Sequence, residues 1–301
     1  MIPISGESLV AGVIGRPVRH SLSPLIHNAW LGEAQIDGIY IALSAADEAR
    51  FASLIDGLRG GSLKGLNVTI PFKETALVCA DRATERASLA GAANLLLFHA
   101  DGSVEADNTD GEGLLGAFRV QAPKFDPRQG SVVILGAGGA ARGAAAAFAL
   151  AGSPEVRLVN RTRERAEVIA QALGPKVQGA KVTVFGWDQM DAALNGAAAL
   201  VNATSLGLVG HDPLAIDLAA LPTGAPVMDM VYRPLRTPLL LAAEAQGRPT
   251  VDGLAMLILQ AAPSFEAFFG AAPPAGVDVR ALALTALGER PAAASKQGTR
   301  P

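Results

Sequence analysis

The chain has 301 residues, enough at about 150 residues per domain for two domains or one large one, and enough to bury a core without a disulfide or metal staple. Apolar residues make up 50% and charged residues 18%, which excludes disorder of the whole chain, and the single cysteine, Cys79, excludes a disulfide framework. The net charge of −3, from 25 basic and 28 acidic residues, argues against a nucleic-acid binder, which needs a basic surplus.

Residues 1–20 carry no basic leader ahead of their apolar run, so no signal peptide or anchor is expected. With the lone cysteine, this favours a cytoplasmic setting. Short β-branched runs then alternate with helical patterns. Strands are expected over 9–14, 39–43, 66–70 and 93–98, and helices over 24–33, 47–59, 73–89 and 110–121. Such alternation implies an α/β fold with a mostly parallel sheet, because parallel strands need crossover helices.

Several residues in this half suggest chemistry. Ser23 before Pro24 reads as an N-cap with proline in the first turn. Ser21 and Ser23 together place two hydroxyls at a helix start, a cradle for a carboxylate. Alternation along the third strand puts Asn67 and Thr69 on one face. Pro71 ends that strand, and Lys73 falls in the first turn of a helix. The helix dipole opposes a cation there, which suits a lysine that exchanges its proton. Asp110 reads by default as the N-cap of the next helix and gains a chemical role only if it meets Lys73.

The stretch 122–130, rich in Pro, Gly and charge, reads as a connection between domains. A second series follows, with strands over 132–135, 156–159, 182–185, 198–201 and 227–230 and helices over 140–150, 163–173, 237–246 and 253–269. The longest uncharged stretch, 192–211, is interrupted by Asn, Thr, Ser and Gly, so it is strand and loop rather than a membrane span. Residues 291–301 read as a frayed polar tail.

The first strand of the second series runs into Gly136-Ala137-Gly138-Gly139-Ala140-Ala141 and straight into a helix. In this G-x-G-x-x-A loop the first Gly allows the tight turn and the second lets the backbone approach a pyrophosphate. The third small residue lets helix and strand pack closely, and the helix start offers free N–H groups. The next strand ends in Asn160-Arg161-Thr162-Arg163-Glu164-Arg165. No carboxylate stands at the strand end for the ribose 2′-OH of NAD. Arg161 and Arg165, one turn apart, suit a 2′-phosphate through charged hydrogen bonds, so NADP is the expected cofactor.

On the helix over 253–269, Gln260 follows Met256 by four positions and Leu257 by three, beside an apolar stripe. Its amide is either satisfied internally or faces a ligand. Cys79, Trp30 and Trp187 read as packing. His20, His27, His99 and His211 lack metal-ligand spacing, and no metal is expected.

Taken in order, GRPVRHSLSPLIHN, LKGLNVTIPFK, GAANLL, DNTDGEG, LGAGGAARG, NRTRERA, NATSLG, DMVYRPLRTPLL and DGLAMLILQAAPSFEAFFG resemble the shikimate dehydrogenases over about residues 10–287. The resemblance implies a substrate-binding domain of residues 1–109 and 252–290, a Rossmann-type NADP-binding domain of 110–251, and a cleft between them. It implies reversible reduction of 3-dehydroshikimate by NADPH, with Lys73 and Asp110 as the catalytic pair. Ser21 and Ser23 would hold the substrate carboxylate, and Thr69, Asn94, Gln260, Asn67 and Tyr232 its ring hydroxyls. Gly136, Gly138, Gly139 and Ala140 would form the cofactor loop. Asn160, Arg161, Thr162 and Arg165 would hold the 2′-phosphate end, Thr204 and Ser205 would lie near the cofactor, and Val231 and Gly253 near the nicotinamide. The implied partner is a small-molecule substrate, with no nucleic-acid or membrane partner, in a monomer or homodimer. Three positions depart from the family pattern: Leu95, beside the expected substrate site, replaces Thr, Leu208 replaces Met and Ala255 replaces Gly. The alternatives are a quinate or aminoshikimate dehydrogenase on the same fold and, from another class, a non-catalytic ligand-sensing relative. The presence of both Lys73 and Asp110 argues against the last.

Overall fold

The computed structural model describes residues 4–177 and 179–289, so the expected tail over 291–301 lies outside the described residues. The first half runs β1 (Leu9–Ile14), α1 (Ser23–Ala34), β2 (Gly38–Leu43), α2 (Glu48–Gly57), β3 (Leu63–Val68), α3 (Lys73–Cys79), β4 (Arg82–Ala83), α4 (Glu85–Ala90), β5 (Leu95–Phe98), β6 (Val104–Asp107) and α5 (Asp110–Gln121). Its sheet has the order β2-β1-β3-β5-β6-β4. β5 is antiparallel to both β3 and β6, and the other pairings are parallel.

The second half runs β7 (Ser131–Leu135), α6 (Gly139–Leu150), β8 (Glu155–Asn160), α7 (Arg163–Leu173), β9 (Lys181–Gly186), α8 (Met190–Leu194), β10 (Ala197–Asn202), β11 (Val227–Asp229), α9 (Pro238–Ala245), β12 (Thr250–Asp252), α10 (Gly253–Phe269) and α11 (Val279–Leu287). All its strands are parallel, in the order β12-β11-β10-β7-β8-β9. Val132, Val133, Ile134 and Leu135 are all fully buried, as a central strand covered on both faces requires. The chain reverses direction across the sheet between β7 and β10. In open α/β sheets, that switch point is where ligands bind.

The two halves meet through α5 and α10, which pack along each other. Gly113 makes this possible, since a Cβ there would lie 2.6 Å from the Met256 carbonyl oxygen. α10 also carries Phe265 and Phe268 into the core of the first half, against Trp30 and Tyr40.

Four local expectations are corrected. The helix expected over 73–89 is two helices, α3 and α4, separated by the edge strand β4. Asp81 breaks it: its carboxylate accepts from the Val104 N–H at 2.7 Å and from Arg59 at 2.5 Å, pulling this segment onto β6. Thr84 then caps α4 by accepting from the Ala87 N–H. β3 ends at Val68, so Thr69 and Ile70 lie beyond the strand. Ser23 is not the N-cap of α1 but its first residue, and the Ser21 hydroxyl accepts from the Ser23 N–H at 3.2 Å. Asp110 is likewise the first residue of α5 rather than its cap, because Thr109 holds the cap position. Its carboxylate is therefore free for other partners.

Candidate active site

A cleft of about 310 Å³ lies at the carboxyl ends of β1, β3 and β11, closed by α1, α5, α6 and α10. That is at the small end of the roughly 300–1,000 Å³ typical of small-molecule sites. Ser21, Ser23, Asn67, Thr69, Lys73, Asn94, Asp110, Tyr232 and Gln260 all line it. These residues come from segments far apart in the chain, and the α5–α10 contact brings Asp110 and Gln260 to the same wall.

Lys73 opens α3, and its Nζ donates to Asp110 Oδ2 at 2.5 Å. Both side chains keep about a quarter of their surface exposed, at 26% and 20%, so the pair faces the cleft rather than the core. The other carboxylate oxygen is also occupied, as Asn94 Nδ2 donates to Asp110 Oδ1 at 2.9 Å. Asn94 is fixed in turn: its Oδ1 accepts from the Thr109 N–H at 2.8 Å, and its Nδ2 lies 3.1 Å from Gln260 Oε1. Asn94 therefore orients the acidic partner of Lys73 as well as bordering the cleft. Gln260 Nε2 donates to the Leu257 carbonyl at 2.9 Å, leaving its second N–H free of side-chain partners. Burial pushes the Tyr232 phenol up, only partly opposed by the Arg233 charge, so it stands as a neutral donor.

The turn that delivers Asp110 has its own support. Burial alone would raise the Asp107 carboxyl, but Arg86 and Thr84 outweigh it and hold it below the usual range. Arg86 spans from Asp107 to Glu112, tying β6 to α5 across Asn108 and Thr109. Asp107 and Asp110 thus divide the work within DNTD. The first anchors the turn and the second faces the cleft. The sequence reading missed Arg86 and Asp107, whose pairing links residues 21 positions apart.

The second group of expected residues gathers at the carboxyl end of β7. Gly136 has φ of +111°, the left-handed range that favours glycine, and a Cβ there would lie 3.1 Å from the Ala203 carbonyl oxygen. A Cβ at Gly138 or Gly139 would meet nothing within 4 Å. α6 begins without any side-chain cap, so its first N–H groups have no side-chain acceptor. Ala141 is fully buried at the helix–sheet contact. The end of β8 lies beside this loop, and there Arg161 and Arg165 are exposed, with no acidic partner among the described residues. Asn160 Nδ2 donates to the Thr162 carbonyl at 2.7 Å and shapes that turn. On the other side of β7, Thr204 donates to Asn202 Oδ1 at 2.7 Å and accepts from the Leu206 N–H, which holds Ser205 at the tip of a turn. An open helix start flanked by two unpaired guanidinium groups fits a dinucleotide with a phosphorylated ribose.

Ala140 and Gly253 belong to the nucleotide set and also line the cleft, so the two groups of residues are continuous. Val231 does not line the cleft. It is 7% exposed and its N–H donates to the buried Asp229, while Met230 and Tyr232 face the opening. Leu95 adjoins the site, following Asn94 and pairing with Asn67, but does not line the cleft: its side chain is 2% exposed, in the cluster that holds Trp30 and Phe265.

Comparison with known proteins points the same way. Residues 13–96 match the family model for the shikimate dehydrogenase substrate binding domain, and residues 121–208 match that for shikimate / quinate 5-dehydrogenase. A shikimate dehydrogenase (NADP(+)) of Caulobacter vibrioides is 55% identical over 95% of this chain and 98% of its own length. A shikimate 5-dehydrogenase of Listeria monocytogenes, solved with shikimate and NAD, superposes with a TM-score of 0.85 at 29% identity, covering 95% of this chain and 99% of that one. The shikimate 5-dehydrogenase of Thermus thermophilus, solved with NADP(H) and shikimate, gives 0.76 at 32% identity over 88% and 95%.

Proposed function

Because the chain belongs to the shikimate dehydrogenase family, we infer that it is an NADP-dependent oxidoreductase that interconverts 3-dehydroshikimate and shikimate. When bound, NADPH would supply the hydride for the ketone carbon. Lys73 gives a proton to the oxygen that becomes the hydroxyl, and takes one back in the reverse direction. Asp110 holds the ammonium toward the reacting oxygen. The observation that carries this reading is the 2.5 Å Lys73–Asp110 contact on the wall of a cleft that Ala140 of the cofactor loop also lines. Proton transfer by a group so placed contributes about 10²–10⁴-fold.

Binding is assigned by chemistry. Ser21 and Ser23 at the start of α1 take the carboxylate, where hydroxyls and helix N–H groups converge. Thr69, Asn67, Asn94, Gln260 and Tyr232 take the ring hydroxyls. Gly136, Gly138, Gly139 and Ala140 hold the pyrophosphate, and Asn160, Arg161, Thr162 and Arg165 the 2′-phosphate. Thr204, Ser205, Val231 and Gly253 border the cofactor, Val231 through its backbone. Residues 1–109 and 252–290 form the substrate-binding domain and 110–251 the cofactor domain. Among the described residues no helix is long and apolar enough to cross a membrane. The free, half-buried Cys79 accords with a cytoplasmic setting, and we infer a monomer or homodimer.

The test is NADPH oxidation with 3-dehydroshikimate, repeated with NADH and with 3-dehydroquinate. Rapid oxidation only with NADPH and 3-dehydroshikimate supports the reading. Faster turnover of 3-dehydroquinate would reassign the substrate, and no oxidation with either would defeat the enzymatic reading.

A further inference from the structure

Asn67 lines the cleft, yet nearly all its hydrogen-bonding capacity is taken up within the protein. Its Nδ2 donates to the Asn94 backbone carbonyl at 3.1 Å and to the Ser264 hydroxyl at 2.8 Å. Its Oδ1 accepts from the Tyr40 hydroxyl at 2.7 Å. A carbonyl can only accept, so the Asn94 contact fixes which end of the amide is nitrogen. An asparagine amide has two N–H donors, and both are occupied. What remains is one lone pair on Oδ1.

The partners are themselves held in place. Tyr40 is 1% exposed, and its ring stacks on His27 with centroids 4.0 Å apart and planes 7° from parallel. Ser264 is fully buried one helical turn beyond Gln260, and its hydroxyl donates to the Gln260 carbonyl at 3.4 Å. That leaves the Ser264 oxygen to accept from Asn67. Neither Tyr40 nor Ser264 lines the cleft, and both hydrogen-bond Asn67, which does.

We propose that Tyr40 and Ser264 are positioning residues that present Asn67 to the ring substrate solely as a hydrogen-bond acceptor, so the site selects a ring position carrying a hydroxyl donor. This rests on the reading of the cleft as the shikimate site. A site built around one polarity rejects an analogue that cannot supply it, because its own polar group is then left unpaired. Ser264→Ala frees one Asn67 N–H, which can then donate and blur that selection.

The experiment is steady-state oxidation by the full chain and NADP+ of shikimate and of two analogues. In each analogue, one of the ring hydroxyls that do not react is replaced by fluorine, which cannot donate. For the wild type, one analogue should lose about 10–100-fold in kcat/KM. In Ser264→Ala, KM for shikimate should rise about tenfold with kcat and KM for NADP+ nearly unchanged, and the penalty on that analogue should shrink by at least about threefold. Tyr40→Phe keeps the ring that stacks on His27 and serves as the second variant. It should raise KM for shikimate in the same way. Equal analogue penalties in wild type and Ser264→Ala would overturn the proposal while leaving the activity intact. So would a common loss in kcat and both KM values. Failure of the wild type to oxidise shikimate would overturn both the proposal and the reading beneath it.

Discussion

Gln121 and Asp252 exchange two hydrogen bonds at the point where the chain leaves its first half and where it returns. Gln121 Nε2 donates to Asp252 Oδ2 at 2.7 Å, and the Asp252 N–H donates to Gln121 Oε1 at 2.9 Å. Arg280 of α11 adds a two-pronged contact to the same carboxylate, at 2.6 and 3.1 Å. Asp252 also caps α10 by accepting from the Ala255 N–H at 2.9 Å. One side chain thus joins the end of α5, the start of α10 and the last helix described.

Asp252→Ala should therefore destabilise more than a surface substitution. It removes a helix cap and leaves Arg280 and Gln121 without their partner, for an expected loss of about 2–4 kcal/mol in urea unfolding. Burial raises the Asp252 carboxyl, but Arg280, Gln121 and the Ala255 N–H outweigh it and the folded value lies below the ordinary one. The contribution is thus complete above the unfolded carboxylate pKa and is lost as pH falls through the lowered folded value. A change within about 0.5 kcal/mol would show that the three-way junction is dispensable.

His27 gives a second pH dependence, in a higher window. It is fully buried, and desolvation lowers its pKa from 6.5 to about 3. Below pH 6.5 the unfolded chain binds a proton that the folded chain refuses until about pH 3. Stability contributed by the neutral ring is present above 6.5 and declines as pH falls through that window, by up to about 1.4 kcal/mol per pH unit. His27→Phe keeps an aromatic ring over Tyr40 and should flatten this slope when unfolding free energies are compared between about pH 7 and pH 4.5. Equal slopes in the two proteins would rule out His27 as the source.

Lys73→Ala should lower kcat by about 10²–10⁴-fold with little change in KM for shikimate, since the lost interaction belongs to proton transfer. Asp110→Asn keeps the shape but removes the negative charge that orients the ammonium, and its kcat should fall between those of wild type and Lys73→Ala. Near-normal turnover in Lys73→Ala would sink the assignment.

Arg161→Ala and Arg165→Ala should each raise KM for NADP+ by about 10–100-fold, the worth of one hydrogen bond to a charged phosphate. KM for NAD+, which lacks that phosphate, should hardly move. The ratio of the two is the measurement. A parallel rise for both cofactors would mean that the arginines act elsewhere.

The parts of this fold that could be read from sequence are those decided locally. The β7–loop–α6 unit follows from turn chemistry in six consecutive residues, and α5 and α10 from helical patterns with clear ends, α10 running through Pro263. β6 was missed because Val104–Asp107 is four residues long and becomes a strand only by pairing with β5. The break between α3 and α4 was invisible because its cause, the hold of Val104 and Arg59 on Asp81, lies about 20 residues away on both sides. The cleft residues were identified by resemblance of ordered motifs. Tyr40 belongs to no such motif, and Ser264 lies within the last of them without the motif showing what it touches. Their meaning lies in contacts to Asn67 across 27 and 197 residues.

That last separation bears on the order in which the protein is made. At about 5–20 residues per second, the 197 residues between Asn67 and Ser264 take roughly 10–40 s to synthesise. Throughout that interval Trp30 and Tyr40 emerge without Phe265 and Phe268, which complete their cluster. All six strands of the second sheet are produced within the same interval. The nascent chain therefore carries an uncovered aromatic face while the sheet of its second half assembles. Docking of α10 ends that exposure and at the same moment delivers Gln260 and Ser264, so a chain stalled or truncated before residue 253 would be both inactive and prone to aggregate.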